Sequence, residues 1–330
     1  MPERAARIRL HIQNDPHSPN DAVTPARLRA GARRFPKLAA RLRVTYGDDD
    51  TALDVGLREA EVLLAGHFSA HDLAGRAPRL RWIQSTSAGV ETLVPLLPAA
   101  VVLTNASGVH TPKGGEYGMT ALLMLNHRVP DFDTRQREAR WDPVFSSTIA
   151  GRTVVLIGAG DIGAEVGRLA RRFGMRVLGV RRTGRPHRHV DEMYTPRDLR
   201  KVLPRADFVV VTLPLTPETR GLIGRRELDL LPRHAGLVNL GRGAVVDYDA
   251  LVDKLRRGEL SGAVLEVFPE EPLPADSPIW TLPNVILSPH CAVDDSVAYV
   301  PRALDIFFDN LGRYLRGRPL RNRVDPALGY

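Results

Sequence analysis

The sequence predicts an α/β protein built on two doubly wound parallel sheets, and three observations carry that prediction. Short apolar, β-branched runs alternate with amphipathic helical stretches along most of the chain. One such unit, Thr153 to Arg182, sets glycines in the spacing G-x-G-x-x-G between a strand and a helix. The 330 residues, 43% of them hydrophobic, are enough for two domains of ordinary size, each with its own core.

The first half opens with an alternating strand, Ile8 to Ile12. A polar loop follows from Asn14 to Asp21, after which Thr24 and Pro25 have the form of a helix start. Strands then fall at Leu42 to Tyr46, Glu61 to Ala65, Leu80 to Ser85 and Val101 to Thr104, with helices between them. This is a small doubly wound sheet of about five strands, and it has no glycine-rich phosphate loop of its own. The apolar stretch Glu116 to Leu125, EYGMTALLML, reads as a helix linking the first domain to the second.

In the central unit, Val154 to Ile157 is a buried strand and Met175 to Val180 is a second one. Between them Ile162, Val166, Leu169, Ala170 and Phe173 recur at helical spacing, with Gly174 at the expected stop. Gly158 permits the tight turn, Gly160 lets the backbone approach a pyrophosphate, and Gly163 lets helix and strand pack closely. The free N–H groups at the helix start face the phosphates. The alternative, glycines serving packing only, explains the motif less completely than dinucleotide binding does.

The end of the second strand selects the dinucleotide. An NAD site usually carries an acid there for the ribose 2′-OH, whereas this chain has Arg181, Arg182 and Thr183. Guanidinium groups and a hydroxyl suit a 2′-phosphate, so NADP(H) is favoured and NAD(H) is the other possibility. Arginines merely sitting on a surface loop are the competing explanation.

Strands Phe208 to Leu213, Gly236 to Leu240, Ala263 to Phe268 and Val285 to Leu287 follow, with a helix at Tyr248 to Arg257. Counted from Val154 that makes six strands, the number in a complete dinucleotide fold. The amphipathic helix Ala298 to Leu315 is expected to return to the first domain. The domains are therefore 1–108 plus 296–330, for substrate, and 109–295, for the dinucleotide.

The net charge of +8 suggests nucleic acid at first sight, but only four of the 46 basic residues are lysines and no basic block or aromatic binding motif accompanies them. Cys291 is the only cysteine, which excludes disulfide scaffolds and cysteine-rich zinc sites. The opening stretch MPERAARIRLHIQND lacks a signal-peptide core and no run is long enough to span a membrane, so the expected compartment is the cytoplasm.

In an open α/β sheet, ligands sit outside the carboxyl ends of the strands. Arg242, in NLGRGAVVD, Glu271, in LEVFPEEPLP, and His290, in NVILSPHCAVDD, all follow strands. Such a set suits reduction of a 2-oxoacid. Histidine can give a proton to the developing alkoxide, a neighbouring carboxylate supports the imidazolium, and arginine can fork onto the substrate carboxylate. Taken singly, each has an ordinary reading: a surface cation, a turn carboxylate, a Pro-His turn.

The stretches GAGDIG, TLPLTPETRGLIG, NLGRGAVVD, LEVFPEEPLP and NVILSPH, in that order, resemble the D-isomer-specific 2-hydroxyacid dehydrogenases. The likeness is specific from about Ser85 to Ala292. It implies a Rossmann domain inserted into a smaller flavodoxin-like substrate domain, and a catalytic triad of Arg242, Glu271 and His290. It implies that Ser87, Ala88, Gly89 and Val90 hold the substrate carboxylate through backbone N–H groups. It also implies that Asp161, Ile162, Leu213, Leu240 and Gly241 line the cofactor, and that a homodimer forms through the nucleotide domains. Glu266 stands where most members have the Asp that faces the nicotinamide carboxamide. GVRR at 179–182 is like the NADPH-dependent glyoxylate/hydroxypyruvate reductases of the family, and Glu271 in place of glutamine disfavours formate.

Three readings from other classes compete with this one. A dinucleotide-sensing regulator would keep the fold and triad with little turnover. A metal hydrolase on His187 and His189, or on His67 and His71, lacks matching ligands. A serine hydrolase lacks its G-x-S-x-G elbow. Trp141 and Trp280 are candidates for walls of the side-chain pocket, with ordinary packing the equal alternative.

Overall fold

The computed structural model describes residues 7–330. The first six residues, part of the opening stretch MPERAARIRLHIQND, lie outside the described residues. Residues up to Val109 together with Asp295–Tyr330 form one compact unit, and His110–Asp294 form another.

The first unit is built on five parallel strands: β1 (Ile8–Gln13), β2 (Leu42–Gly47), β3 (Val62–Ala65), β4 (Trp82–Ser85) and β5 (Val102–Thr104). Their order is β2-β1-β3-β4-β5, the flavodoxin-like doubly wound order. Two-residue alternation divides β3 between the faces. Val62 and Leu64 enter one core with Leu10 and Ile12, while Leu63 and Ala65 enter the other with Leu53 and Ile83. The Thr24 hydroxyl caps the helix Pro25–Ala32 by accepting from the Arg27 N–H. Helix Tyr299–Tyr314 lays Val300, Leu304, Phe307 and Phe308 into the core of this same unit, with the Phe307 ring stacked on Trp82 at 5.6 Å.

The second unit carries seven parallel strands: β6 (Thr153–Ile157), β7 (Arg176–Val180), β8 (Glu192–Tyr194), β9 (Phe208–Val211), β10 (Gly236–Asn239), β11 (Gly262–Leu265) and β12 (Val285–Leu287). They run β12-β11-β10-β9-β6-β7-β8. Six of these reproduce the dinucleotide order 3-2-1-4-5-6, with β12 added at the edge.

The expected count of six was therefore short by one. The missed strand is β8, the third of the fold, and the six expected strands included the added β12. Glu192–Tyr194 is only three residues long and half-buried, without an apolar run. It is a strand because it pairs with β7, and because the Tyr194 carbonyl accepts from the Arg181 N–H at 3.0 Å. Strands β9 and β11 also end earlier than expected, at Val211 and Leu265, and β4 starts later, at Trp82.

The helix expected from Glu116 begins earlier, spanning Thr111–Asn126. Its first turn contains Gly114 and Gly115, which read as helix breakers. They are there for contact: a Cβ on Gly114 would lie 3.0 Å from Ile162, and one on Gly118 would lie 2.5 Å from Val166. Glycine lets this helix press onto helix Asp161–Arg172 at backbone distance.

Candidate active site

The turn after β6 has the form that a dinucleotide needs. Gly158 adopts φ +105°, and a Cβ on Gly163 would lie 2.0 Å from the Gly158 carbonyl oxygen, so both positions require glycine. The Gly158 carbonyl accepts from the Thr212 hydroxyl at 2.6 Å, tying the turn to the end of β9. Gly160 faces open space, with nothing within 4 Å of a Cβ built on it. It caps helix Asp161–Arg172 without a side chain, leaving the first-turn N–H groups and the positive end of the dipole directed outward. A pyrophosphate fits this cradle both in shape and in charge.

Ile162 packs on the helix Thr111–Asn126, and Leu240 is buried beside it in the same core. Gly241 brings the end of β10 against that of β9, since its Cβ would meet the Leu213 oxygen at 2.7 Å. Asp161, Leu213, Leu240 and Gly241 thus border the strand-order reversal between β6 and β9, where nucleotides bind in such sheets. Arg181, Arg182 and Thr183 form a tight turn after β7, closed by the Gly184 N–H donating to the Arg181 carbonyl at 3.1 Å. No carboxylate occupies that turn. Glu218, held below the usual carboxylate range first by the Thr216 hydroxyl, also feels the Arg182 charge.

At the ends of β11 and β12 the structure brings the expected catalytic groups His290 and Glu271 into contact. His290 Nδ1 donates to Glu271 Oε2 at 2.7 Å, and Glu271 Oε1 accepts from the Phe268 N–H at 2.8 Å. The carboxylate is fixed at one oxygen and spends the other on the imidazole, which leaves Nε2 as the ring's second proton site. Both side chains stay partly exposed, so the ring can meet a solute.

Arg242 follows β10, partly buried, with Nη1 donating to the Gly241 carbonyl at 2.9 Å. Its neighbour Gly243 abuts the Glu271 segment: a Cβ there would sit 2.0 Å from the Phe268 carbonyl carbon.

Residues that sequence reasoning passed over hold these strand ends together. Asn239, fully buried, accepts from the Gly241 N–H at 3.1 Å and donates to the Arg242 carbonyl and the Tyr248 hydroxyl, each at 3.3 Å. Burial pushes the Tyr248 phenol up, so it stays protonated and donates to the Val267 carbonyl. A polar residue ending the apolar run of β10 was the available signal. Glu266, also fully buried, turns its carboxylate onto Ser288 and Ala292, on either side of His290.

In the first unit, Ser87, Ala88, Gly89 and Val90 form the loop after β4. The Ser87 N–H donates to the Ser85 hydroxyl at 3.0 Å, while among the described residues the N–H groups of Ala88, Gly89 and Val90 have no acceptor. Three successive open donors suit an anion. Trp141 is 98% exposed and Trp280 48% exposed. No cluster of metal-ligating side chains occurs among the described residues, His187 and His189 included, and no helix among them is long and apolar enough to cross a membrane.

Comparison with known proteins places the chain in a family. Residues 119–292 match the family model described as D-isomer specific 2-hydroxyacid dehydrogenase, NAD binding domain. The chain is 35% identical over 304 residues to glyoxylate/hydroxypyruvate reductase B of Pectobacterium carotovorum, covering 88% of this chain and 94% of that one. It is 35% identical over 260 residues to glyoxylate reductase of Korarchaeum cryptofilum, covering 76% and 77%. Among solved structures, the D-isomer specific 2-hydroxyacid dehydrogenase of Xanthobacter autotrophicus, in complex with NADPH and MES, superposes with a TM-score of 0.85 at 32% identity, covering 98% of this chain and all of that one. The NADPH-dependent glyoxylate/hydroxypyruvate reductase of Sinorhizobium meliloti, in complex with NADP and sulfate, gives 0.82 at 27%, covering 97% and 99%. None of these relatives supports the regulatory reading. The chain belongs to the D-isomer-specific 2-hydroxyacid dehydrogenase family and is an oxidoreductase that uses a nicotinamide dinucleotide.

Proposed function

We propose that this protein reduces small 2-oxoacids of the glyoxylate and hydroxypyruvate type to 2-hydroxyacids, with NADPH preferred to NADH. The reading rests above all on the His290–Glu271 pair, 2.7 Å apart at the strand ends of the unit that carries the dinucleotide turn. The relatives named glyoxylate/hydroxypyruvate reductase and glyoxylate reductase support the substrate class. The turn Arg181–Thr183, with two guanidinium groups and no carboxylate, supports the 2′-phosphate.

Gly158, Gly160 and Gly163 admit the pyrophosphate, Arg181, Arg182 and Thr183 take the 2′-phosphate, and Asp161, Ile162, Leu213, Leu240 and Gly241 line the rest. When bound, the reduced nicotinamide supplies the hydride for the substrate carbonyl carbon. Arg242 orients the substrate carboxylate, and in the first unit Ser87 and the open amides of Ala88, Gly89 and Val90 form a donor loop of the kind that binds a carboxylate. His290, protonated on both nitrogens and braced at Nδ1 by Glu271, delivers the Nε2 proton to the carbonyl oxygen as negative charge develops there. Glu271 stabilises the imidazolium before that transfer and holds the neutral ring in place after it.

We further infer a homodimer formed through the nucleotide-binding unit. Trp141 and Phe145, 98% and 91% exposed, stand on an irregular stretch of that unit, and a second copy covering them accounts for two large apolar side chains in water. The single cysteine fits a reducing, cytoplasmic setting.

The test is oxidation of NADPH and of NADH with glyoxylate, hydroxypyruvate, pyruvate, phenylpyruvate and 2-oxoisocaproate. Fastest turnover of the two smallest acids with NADPH is expected. Preference for the bulky acids would overturn the substrate class, and preference for NADH would overturn the role of Arg181.

A further inference from the structure

We propose that Glu266 is a positioning residue for His290, gripping the loop that carries the proton donor at three alternate residues. The proposal rests on the role given to His290 above. Glu266 follows β11 and has no exposed surface. Its backbone carbonyl accepts from the His290 N–H at 3.0 Å. Its Oε1 accepts from the Ala292 N–H at 2.7 Å, and its Oε2 accepts from the Ser288 hydroxyl. Ser288 in turn accepts from the Tyr117 hydroxyl, 3.0 Å away on helix Thr111–Asn126. One residue therefore holds positions 288, 290 and 292, while the ring between them reaches Glu271.

The backbone of His290 explains why such a grip is needed. Its φ is +48°, in the left-handed region that residues with a Cβ seldom occupy. A conformation of that kind persists only where the surroundings over-determine it. Released, the loop would relax towards negative φ and carry the imidazole away from Glu271. Both oxygens of Glu266 are committed to the loop, and a buried acceptor that takes two donors makes a firm anchor.

Side-chain length is decisive. Aspartate at this position would withdraw the carboxylate by about 1.5 Å, the length of one carbon–carbon bond, and could not keep both donors without moving the loop. Glutamine keeps the length: its oxygen can accept from Ala292 while its amide donates to Ser288, whose hydroxyl turns to Tyr117.

The experiment compares Glu266→Asp, Glu266→Gln and Ser288→Ala with the wild-type full chain. Three quantities are read: kcat and KM with glyoxylate, the dinucleotide Kd by fluorescence titration, and the titration of His290 followed by NMR of ring-labelled histidine. Glu266→Asp is expected to lower kcat about tenfold or more while the dinucleotide Kd stays within about twofold, as misplacing a reacting group by an ångström or so does. It should also shift the His290 titration towards that of Glu271→Gln. Glu266→Gln, which keeps the side-chain length, should hold the His290 titration closer to wild type than Glu266→Asp does. Ser288→Ala, a gentler change that guards against misfolding of the aspartate variant, should move the His290 titration in the same direction.

An unmoved His290 titration in both Glu266→Asp and Ser288→Ala would overturn the proposal. So would a dinucleotide Kd that weakens in step with kcat, which would assign Glu266 to the cofactor instead. If the wild type reduces no 2-oxoacid, the substrate reading fails by itself, and the NMR titration still decides whether Glu266 holds His290.

Discussion

Replacing Gly243 with alanine should damage both folding and turnover, and the structure fixes the size of the effect. The added Cβ would lie 2.0, 2.2 and 2.3 Å from the Phe268 carbon, the Phe268 oxygen and the Pro269 nitrogen. All three are backbone atoms, so no side chain can rotate away. Restoring an ordinary contact of 3.4 Å demands roughly 1.4 Å of movement between the Arg242 segment and the Phe268–Pro269 segment. Overpacking of this kind costs about 1–3 kcal/mol of stability. The moving segment also carries the N–H that fixes Glu271, and an ångström of misplacement at a reacting centre lowers rate by about a hundredfold. Denaturant unfolding and steady-state kinetics of Gly243→Ala measure the two effects. A variant as stable as wild type with unchanged kcat would refute the claim that this glycine sets the spacing between Arg242 and Glu271.

Further outcomes can be checked in parallel. His290→Ala should abolish most turnover while leaving the dinucleotide Kd nearly unchanged; near-normal kcat would remove His290 from the proton-transfer role. Arg181→Asp should weaken NADPH by about 10- to 100-fold, the worth of a charge-assisted contact, with far less effect on NADH; equal losses for the two would refute the 2′-phosphate assignment. In the first unit, burial holds the His11 imidazole below its ordinary value, opposed by a hydrogen bond to Gln13, with Thr45 at the other ring nitrogen. Because the folded value is the lower one, its stabilising effect is complete above the unfolded value of about 6.5 and is lost as pH falls through the folded one. Trp82 fluorescence in a Trp141→Phe/Trp280→Phe background should show earlier urea unfolding at acid pH, and His11→Gln should flatten that dependence.

The parts of this molecule that were legible from the sequence are those whose chemistry is local. The turn Gly158–Gly163 declares itself because its neighbours in sequence are also its neighbours in space. Arg242, Glu271 and His290 stand out as candidates because each trails an apolar run, and strand ends converge in an open sheet. What was missed depends on partners far along the chain. Glu192–Tyr194 becomes a strand only beside β7. Gly114 and Gly115 look like helix breakers until helix Asp161–Arg172 lies against them. Asn239 and Tyr248 meet across a loop, and the buried Glu266 finds Ser288 and Ala292 some two dozen residues on.

Helix Thr111–Asn126 touches helix Asp161–Arg172 through Gly114 and Gly118, and it touches the loop that carries His290 through Tyr117 and Ser288. It behaves as a single strut under two loads. A substitution that slides or tilts it disturbs the pyrophosphate cradle and the seat of His290 together, so affinity for the dinucleotide and competence in proton delivery cannot be tuned separately from this side of the sheet. Variation that changes one without the other is confined to the strand ends and the loops that follow them, which leaves the glycine face of the helix as the part of the unit least free to drift.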